Sequence, residues 1–241
     1  MSGLALVTGA NRGIGFAVAR GLCEHGLTVL LGARDGSEGE KAARTLADTG
    51  GDARPIEIDI ADDASVAGAA AAIDAEFGAL DVLVNNAGVK YEFHPAPPSQ
   101  ASLDVVRETY RVNVFGTMSV TLAMLPLLKR AAAGRIVNVS SGLSSMGLAS
   151  VSGSKHAQKA MLSYNTSKAA INSVTIQFAN ELRDTPIKVN SADPGYTKTD
   201  MTHFDGNRSP EQAAQVIIRL ATLGPDGPSG CFFDNDGALP W

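Results

Sequence analysis

The chain has too few cysteines to staple itself. Cys23 and Cys231 are the only two in 241 residues, which excludes a disulfide framework, and no metal-ligand spacing surrounds either. Cys23 falls in an apolar-periodic stretch and reads as core, and no metal site is expected. Basic residues are also short: 20 Lys+Arg stand against 25 Asp+Glu, a formal charge of −5. With a pI near 5.4, the chain lacks the electrostatic footprint of a nucleic-acid binder. No apolar run approaches the roughly 20 residues that span a bilayer. Met1-Ser2-Gly3 leads directly into a strand-like segment, without a basic or cleavable apolar leader. A cytoplasmic protein that binds neither membrane nor nucleic acid is expected. Hydrophobic residues at 44% and charged residues at 19% make an ordinary globular mix. The length allows one large domain, 1–241.

What is abundant is glycine, 25 residues clustered at the ends of apolar runs. Strands are expected at Leu4–Thr8, Thr28–Ala33, Pro55–Asp59, Asp81–Asn85, Arg135–Ser140, Lys188–Ser191 and Cys231–Asp234. These runs are almost continuously apolar, the pattern of strands covered on both faces. Amphipathic segments alternate with them at roughly 13–25, 37–49, 62–77, 102–131, 164–183 and 209–223. Such alternation predicts one doubly wound α/β domain built on a parallel sheet.

The first strand opens into Thr8-Gly9-Ala10-Asn11-Arg12-Gly13-Ile14-Gly15 and then a helix. Glycines there permit a tight turn and bring backbone N–H groups to a pyrophosphate; a plain glycine-rich turn is the alternative. The second strand ends Gly32-Ala33-Arg34-Asp35, where an adenosine ribose would pass. An acid at that strand end would bind a free 2′-hydroxyl, whereas Ala33 followed by Arg34 suits a 2′-phosphate held bidentately. Arg12 could add a second charge, or both arginines could be solvated. Asp35, one residue on, would restore a preference for NAD. Asp59 could accept from an adenine amino group or cap the next helix. Asn85-Asn86-Ala87-Gly88 allows close backbone approach to a ligand, or marks a turn.

Tyr164 and Lys168 are four apart and share a helix face. An ammonium roughly 4 Å from a phenol stabilises the phenolate by about 4 kcal/mol at an effective dielectric near 20. That is about three pKa units, enough to bring a tyrosine toward neutrality as an acid/base. Ser141 can bond the same substrate oxygen. Asn113, costly inside a helix, could bind a proton-relaying water to Lys168 or simply bend the helix.

Taken in order, Thr8–Gly15, Asn85–Gly88, Asn113, Ser141, Tyr164/Lys168 and Pro194-Gly195 followed by Thr199 resemble the short-chain dehydrogenase/reductase family over nearly the whole chain. The resemblance implies a Rossmann fold with strand order 3-2-1-4-5-6-7. It implies Tyr164 as general acid/base, Lys168 on the nicotinamide ribose, Ser141 on the substrate carbonyl and Asn113 in the proton relay. Cofactor contacts are implied at Gly9, Asn11, Arg12, Gly13, Ile14, Gly15, Arg34, Asp59, Ile60, Asn86, Ala87, Gly88, Tyr164, Lys168, Pro194, Gly195, Thr197 and Thr199. Arg12 and Arg34 match members that prefer NADPH/NADP+ over NAD. The ending Gly230–Asp234 with Pro240-Trp241 is similar to the carbonyl reductases.

Ser141 and Tyr164 stand 23 apart, where the family has about a dozen, so an insertion is expected near 142–163. Ser141 is preferred to Ser140 because it falls third after Asn138. Within the insertion His156 reads as a solvated loop residue, and Lys155 and Lys159 as surface charges. Substrate contacts are expected from Ser141, Leu143, Met146, Tyr196 and Met201, with Tyr91, Phe93 and Phe204 completing a mostly apolar wall. The leading reading is an NADPH-dependent ketone or aldehyde reductase. An NAD(P)+-dependent alcohol dehydrogenase and a non-catalytic NADP-sensing regulatory protein are the alternatives. The resemblance also implies a homodimer or homotetramer paired through segments 102–131 and 164–183, which the insertion would oppose.

Overall fold

The computed structural model describes residues 3–92 and 94–241; Met1, Ser2 and Phe93 lie outside the described residues. Seven parallel strands form one sheet in the order β3-β2-β1-β4-β5-β6-β7. They are β1 (Leu4–Thr8), β2 (Thr28–Ala33), β3 (Ala53–Glu57), β4 (Val82–Asn85), β5 (Arg135–Val139), β6 (Lys188–Ala192) and β7 (Phe232–Phe233). The helices are α1 (Gly13–Glu24), α2 (Gly36–Ala47), α3 (Asp63–Phe77), α4 (Leu103–Tyr110), α5 (Thr117–Leu128), α6 (Met146–Ala149), α7 (Leu162–Glu181) and α8 (Pro210–Ala221). This is the single-domain Rossmann arrangement expected from the sequence.

The apolar strands are read by alternation. In β1, Ala5 and Val7 face a core shared with α1, α2 and α8, while Leu4 and Leu6 face a second core shared with α3, α5 and α7. Both faces are therefore covered, which explains runs with no polar alternation. Leu6, Leu31, Leu83 and Ile136 are fully buried, and truncating one such side chain to alanine costs roughly 2–5 kcal/mol.

β3 departs from expectation: it starts and ends two residues earlier than Pro55–Asp59, and Arg54, Pro55 and Glu57 are exposed. It is an edge strand, the place where proline is tolerated within a sheet. The long segment 102–131 also differs. α4 and α5 are joined by a π-helical turn, Arg111–Gly116, giving one helical run, Leu103–Leu128. By length and apolar content alone this run could cross a membrane, more than the sequence suggested. More than half of its most apolar window is buried in the fold, with Val120, Met124, Leu125 and Leu128 in the second core.

Candidate active site

The strand order reverses direction between β1 and β4, and in open α/β sheets ligands bind in the crevice outside the strand ends at such a switch. The loops after β1 and β4 interlock there. The Asn86 amide donates to the carbonyls of Thr8 (2.8 Å) and Gly9 (3.1 Å), and the amides of Asn86 and Ala87 donate to Thr8 Oγ1 at 3.0 and 3.1 Å. A Cβ on Gly15 would lie 2.3 Å from the Gly9 carbonyl oxygen, so only glycine fits. Gly9 and Gly13 both take left-handed backbone, φ 64° and 58°. α1 begins at Gly13 with Arg12 as N-cap, no side-chain cap and no acid in its first turn. By contrast α2, α3 and α8 are each capped by a side chain. The first N–H groups of α1, including those of Gly13, Ile14 and Gly15, are thus left for an anion.

At the other end of this crevice, β2 stops at Ala33 and Arg34 is exposed. Asp35 is committed elsewhere: its carboxylate caps α2, accepting from Ser37 N (2.9 Å), Glu38 N (3.3 Å) and Ser37 Oγ (2.6 Å). Arg12 Nε lies 3.6 Å from the Asp200 carboxylate. A shallow cavity of about 240 Å³ beside Arg12 is lined by Asn11, Arg12, Phe16, Glu38, Lys41, Ala42 and Thr45. Asp59 does not cap α3, as one reading allowed; Asp62 does, while Asp59 Oδ1 accepts from Ala61 N at 2.9 Å. Ile60 is buried in the second core, so only its backbone can face a ligand.

Three elements, β5, α7 and the π-helical turn, carry the acid/base candidates. Ser141 follows β5, partly exposed, and shares a hydrogen bond with Tyr164 in the first turn of α7. Ser140 points the other way, buried, bonding Ser144 Oγ (3.0 Å) and the Lys168 carbonyl (3.3 Å). The Lys168 ammonium is buried 6.0 Å from the Tyr164 ring centre and donates to the Val139 carbonyl at 2.8 Å.

The electrostatics reverse the arithmetic of the sequence. Burial, aided by the nearby Asp193 carboxylate and opposed by the Ser141 bond, pushes the Tyr164 phenol up to about 12. Burial brings the Lys168 ammonium down to about 8. In each case the leading cause is the group's own loss of hydration, which disfavours its charged form. Tyr164 is thereby held in its neutral, protonated form.

Asn113 is buried in the π turn. Its Oδ1 accepts from Val89 N (2.8 Å), and its Nδ2 donates to the Val89 carbonyl (2.9 Å) and Ser167 Oγ (3.1 Å). The side chain is a clamp between the β4 loop and α7 and has no N–H left for a relaying water. The turn widens where Gly116 packs on the Ile60 backbone, 2.7 Å from where its Cβ would be; π turns recur at functional sites.

Pro194 and Gly195 follow β6, with Gly195 at φ 76°. Thr197 is buried, its Oγ1 donating to the Gly195 carbonyl at 3.1 Å, and the Thr199 methyl lies 3.4 Å from the Cβ position of Gly13. The outer wall is open. Met146 (68%) and Phe204 (63%) are largely exposed, Tyr91 and Tyr196 less so, and Leu143 and Met201 are partly buried. His156 is half-buried instead of solvated, its Nε2 3.6 Å from the Cβ position of Gly142; burial and Lys155 lower its pKa.

Two acids escaped the sequence reading. Asp193 accepts from Gly195 N at 2.9 Å and from the Gly142 amide, and burial raises its pKa. Glu92 accepts from Ser163 Oγ (2.5 Å) and Tyr164 N (3.0 Å), capping the otherwise uncapped start of α7. Asp193 could have been suspected from its place before Pro194-Gly195. Glu92 could not, because its partners are 71 and 72 residues away.

Known proteins share this framework. The chain is 37% identical to the short-chain dehydrogenase anuI of Penicillium roqueforti over 243 residues, covering 98% of this chain and 95% of that one. It is 33% identical to carbonyl reductase (NADPH) 1 of Rattus norvegicus over 276 residues, 99% and 98% of the two chains. Among solved structures, a gluconate 5-dehydrogenase from Burkholderia cenocepacia in complex with NADP and tartrate superposes with a TM-score of 0.84 at 26% identity, covering 97% of this chain and 94% of that one. The sequence profile of the short chain dehydrogenases matches residues 3–209, and the chain belongs to that family of oxidoreductases.

Proposed function

We propose that the protein is an NADPH-dependent reductase of ketones or aldehydes, with Tyr164 as general acid. The observation that carries this is the partly buried, protonated Tyr164 hydroxyl beside Ser141, with the Lys168 ammonium on the same helix face.

The residues present fit the cofactor. The uncapped N-terminus of α1 and the left-handed glycines offer backbone N–H groups for a pyrophosphate at Gly9, Asn11, Gly13, Ile14 and Gly15. Arg12 and Arg34 would hold a 2′-phosphate. Arg34, exposed at the end of β2 directly after Ala33, supports NADPH over NAD, because its guanidinium can hold that phosphate while the Asp35 carboxylate bonds the first turn of α2. Asp59, Ile60, Asn86, Ala87 and Gly88 would line the adenosine and ribose, and Pro194, Gly195, Thr197 and Thr199 the nicotinamide end. The carbonyl reductase relative is named for NADPH and the gluconate dehydrogenase structure contains NADP.

When bound, NADPH supplies a hydride to the carbonyl carbon. Ser141 and Tyr164 would both bond the carbonyl oxygen, which orients it and stabilises the charge it gains. Tyr164 then gives up its hydroxyl proton to that oxygen. The phenolate left behind faces Lys168, whose three N–H bonds allow one to Val139 and leave two for the tyrosine and a ribose hydroxyl. With both N–H bonds of the Asn113 amide used in its clamp, the proton that restores Tyr164 would pass from the Lys168 ammonium, itself reprotonated from solvent.

We further propose a cytoplasmic enzyme, in keeping with the free cysteines, of which Cys23 has its thiol pushed up to about 11 by burial. Exposed Phe115 (62%) and Leu122 (57%) on the Leu103–Leu128 run support pairing into a homodimer or homotetramer. Light scattering checks this, and a monomer at micromolar concentration contradicts it.

Steady-state oxidation of NADPH and NADH with a panel of ketones, aldehydes and quinones tests the function. Carbonyl reduction with NADPH preferred is expected. Tight NADPH binding with no turnover in either direction would point instead to a sensor.

A further inference from the structure

Three loops meet at the mouth of the site. Ala96 in the β4 loop donates to the Ala160 carbonyl at 3.0 Å, and Asn165, next to Tyr164, donates to the Lys159 carbonyl at 2.9 Å. Lys159 carries its ammonium over the Tyr196 ring, 5.3 Å from the centroid. Lys90 follows Val89, whose amide and carbonyl are both clamped by Asn113. Lys90 is also two residues from Gly88, whose Cβ position is 3.5 Å from Lys168 Nζ. Two residues span about 7 Å at most, so the Lys90 side chain starts close to the reacting groups.

The ammoniums at this mouth have no direct ion-pair partner. Lys90 is half-buried, and Lys159 is near enough to disfavour its charge further. Lys155 adds a third ammonium beside His156. Among the described residues no carboxylate pairs with Lys90, Lys155 or Lys159 within 4.0 Å. The nearby acids are engaged elsewhere: Glu92 with Ser163 and Tyr164, Asp193 with two backbone amides, Asp205 with the Tyr196 hydroxyl at 3.4 Å. Burying a cation without a counter-charge is costly, and setting a like charge beside it adds to that cost. Burial and Lys159 together pull the Lys90 ammonium below the ordinary lysine range. A bound anion would remove the penalty.

We propose that Lys90 and Lys159 form a cationic rim that binds a carboxylate on the substrate, so that the preferred substrates are carbonyl compounds bearing an acid group. This rests on the carbonyl-reductase reading and specifies its substrate class. Lysines act as point charges without bidentate geometry, so the preference should be broad in shape and sensitive to salt.

The test compares 4-formylbenzoate with its methyl ester, which share one aldehyde and differ in one charge. The expected kcat/KM is about tenfold higher for the acid, shrinking as salt rises from about 20 mM to about 500 mM. In the Lys90→Met/Lys159→Met variant the acid-to-ester ratio should fall to about one, and Lys90→Arg/Lys159→Arg should largely restore it. Calorimetric binding of benzoate against benzamide reads the same rim without turnover, and benzoate should bind more tightly in the wild type only. Reduction of the ester with no preference for the acid would overturn this inference and leave the reductase reading standing. Benzoate binding that depends on the two lysines, with neither aldehyde reduced, would support the rim and contradict the reductase reading.

Discussion

Glu92 holds the helix that carries Tyr164 by its backbone: the Tyr164 N–H donates to the Glu92 carboxylate at 3.0 Å, and the same oxygen accepts from the buried Ser163 hydroxyl at 2.5 Å. A carboxylate at a helix N-terminus is favoured both by the orphan N–H groups and by the helix dipole. Because Glu92 belongs to the loop that would wall the substrate, this contact couples substrate loop to acid/base helix.

Removing it should therefore cost both stability and rate. Charge-assisted hydrogen bonds contribute about 1.5–3 kcal/mol, so Glu92→Ala should lower Tm by about 5 °C in a chain of this size. Glu92→Gln, which keeps an acceptor, should lose about half as much. Because α7 also carries Lys168, kcat should fall more than KM for NADPH rises. Calorimetry and steady-state kinetics read the two effects.

Lys168 sets an expected pH break. Its folded pKa of about 8 lies below the ordinary lysine value of 10.5, so the folded state binds this proton less tightly than the unfolded chain. The charged ammonium then costs stability below pH 8, and that cost is relieved as pH rises from about 8 toward 10.5. Activity runs the opposite way, because the ammonium is needed to receive the phenolate. The kcat/KM for NADPH, which reports the free enzyme, should be flat below pH 8 and fall above it. Lys168→Arg should move the break upward, and Tyr164, at about 12, should contribute none in this range.

At the adenosine end, Arg34→Ala should raise KM for NADPH by about tenfold or more and leave that for NADH nearly unchanged. Arg12→Ala should act in the same direction but more weakly, because Arg12 already faces Asp200 at 3.6 Å. Equal effects on both cofactors would contradict the 2′-phosphate assignment.

The glycine loop gives a steric prediction. A Cβ at Gly15 would come 2.3 Å from the Gly9 carbonyl oxygen and 2.5 Å from Asn86 Nδ2. Gly15→Ala must displace the loop, and loss of NADPH binding with the sheet intact is expected from fluorescence titration and circular dichroism.

Much of this was legible in the sequence because it depends on short-range pattern. Covered parallel strands write themselves as unbroken apolar runs, as in Leu4–Thr8 and Thr28–Ala33, and both strands fall where expected. Glycine punctuation located the crevice loops, and the four-residue step from Tyr164 to Lys168 put both on one helix face. What failed depends on burial or on distant partners. The Tyr164–Lys168 attraction was reckoned for a pair roughly 4 Å apart, without the loss of hydration that leads at both groups. β3 was misplaced because an edge strand needs no apolar continuity. Asp35 and Asp62 took the caps for reasons of local backbone geometry, and Glu92 found its partners some 70 residues along the chain.

The central claim is that Tyr164 protonates a carbonyl oxygen during hydride transfer. The most direct test is NADPH oxidation with an accepted aldehyde, with the alcohol product identified, in wild type and in Tyr164→Phe at matched NADPH occupancy. The account predicts stoichiometric alcohol from the wild type and a loss of at least about 100-fold in kcat in the variant, the usual scale of a general acid, with NADPH affinity retained. A variant that binds NADPH and still reduces the aldehyde within a few-fold of the wild-type rate would contradict it.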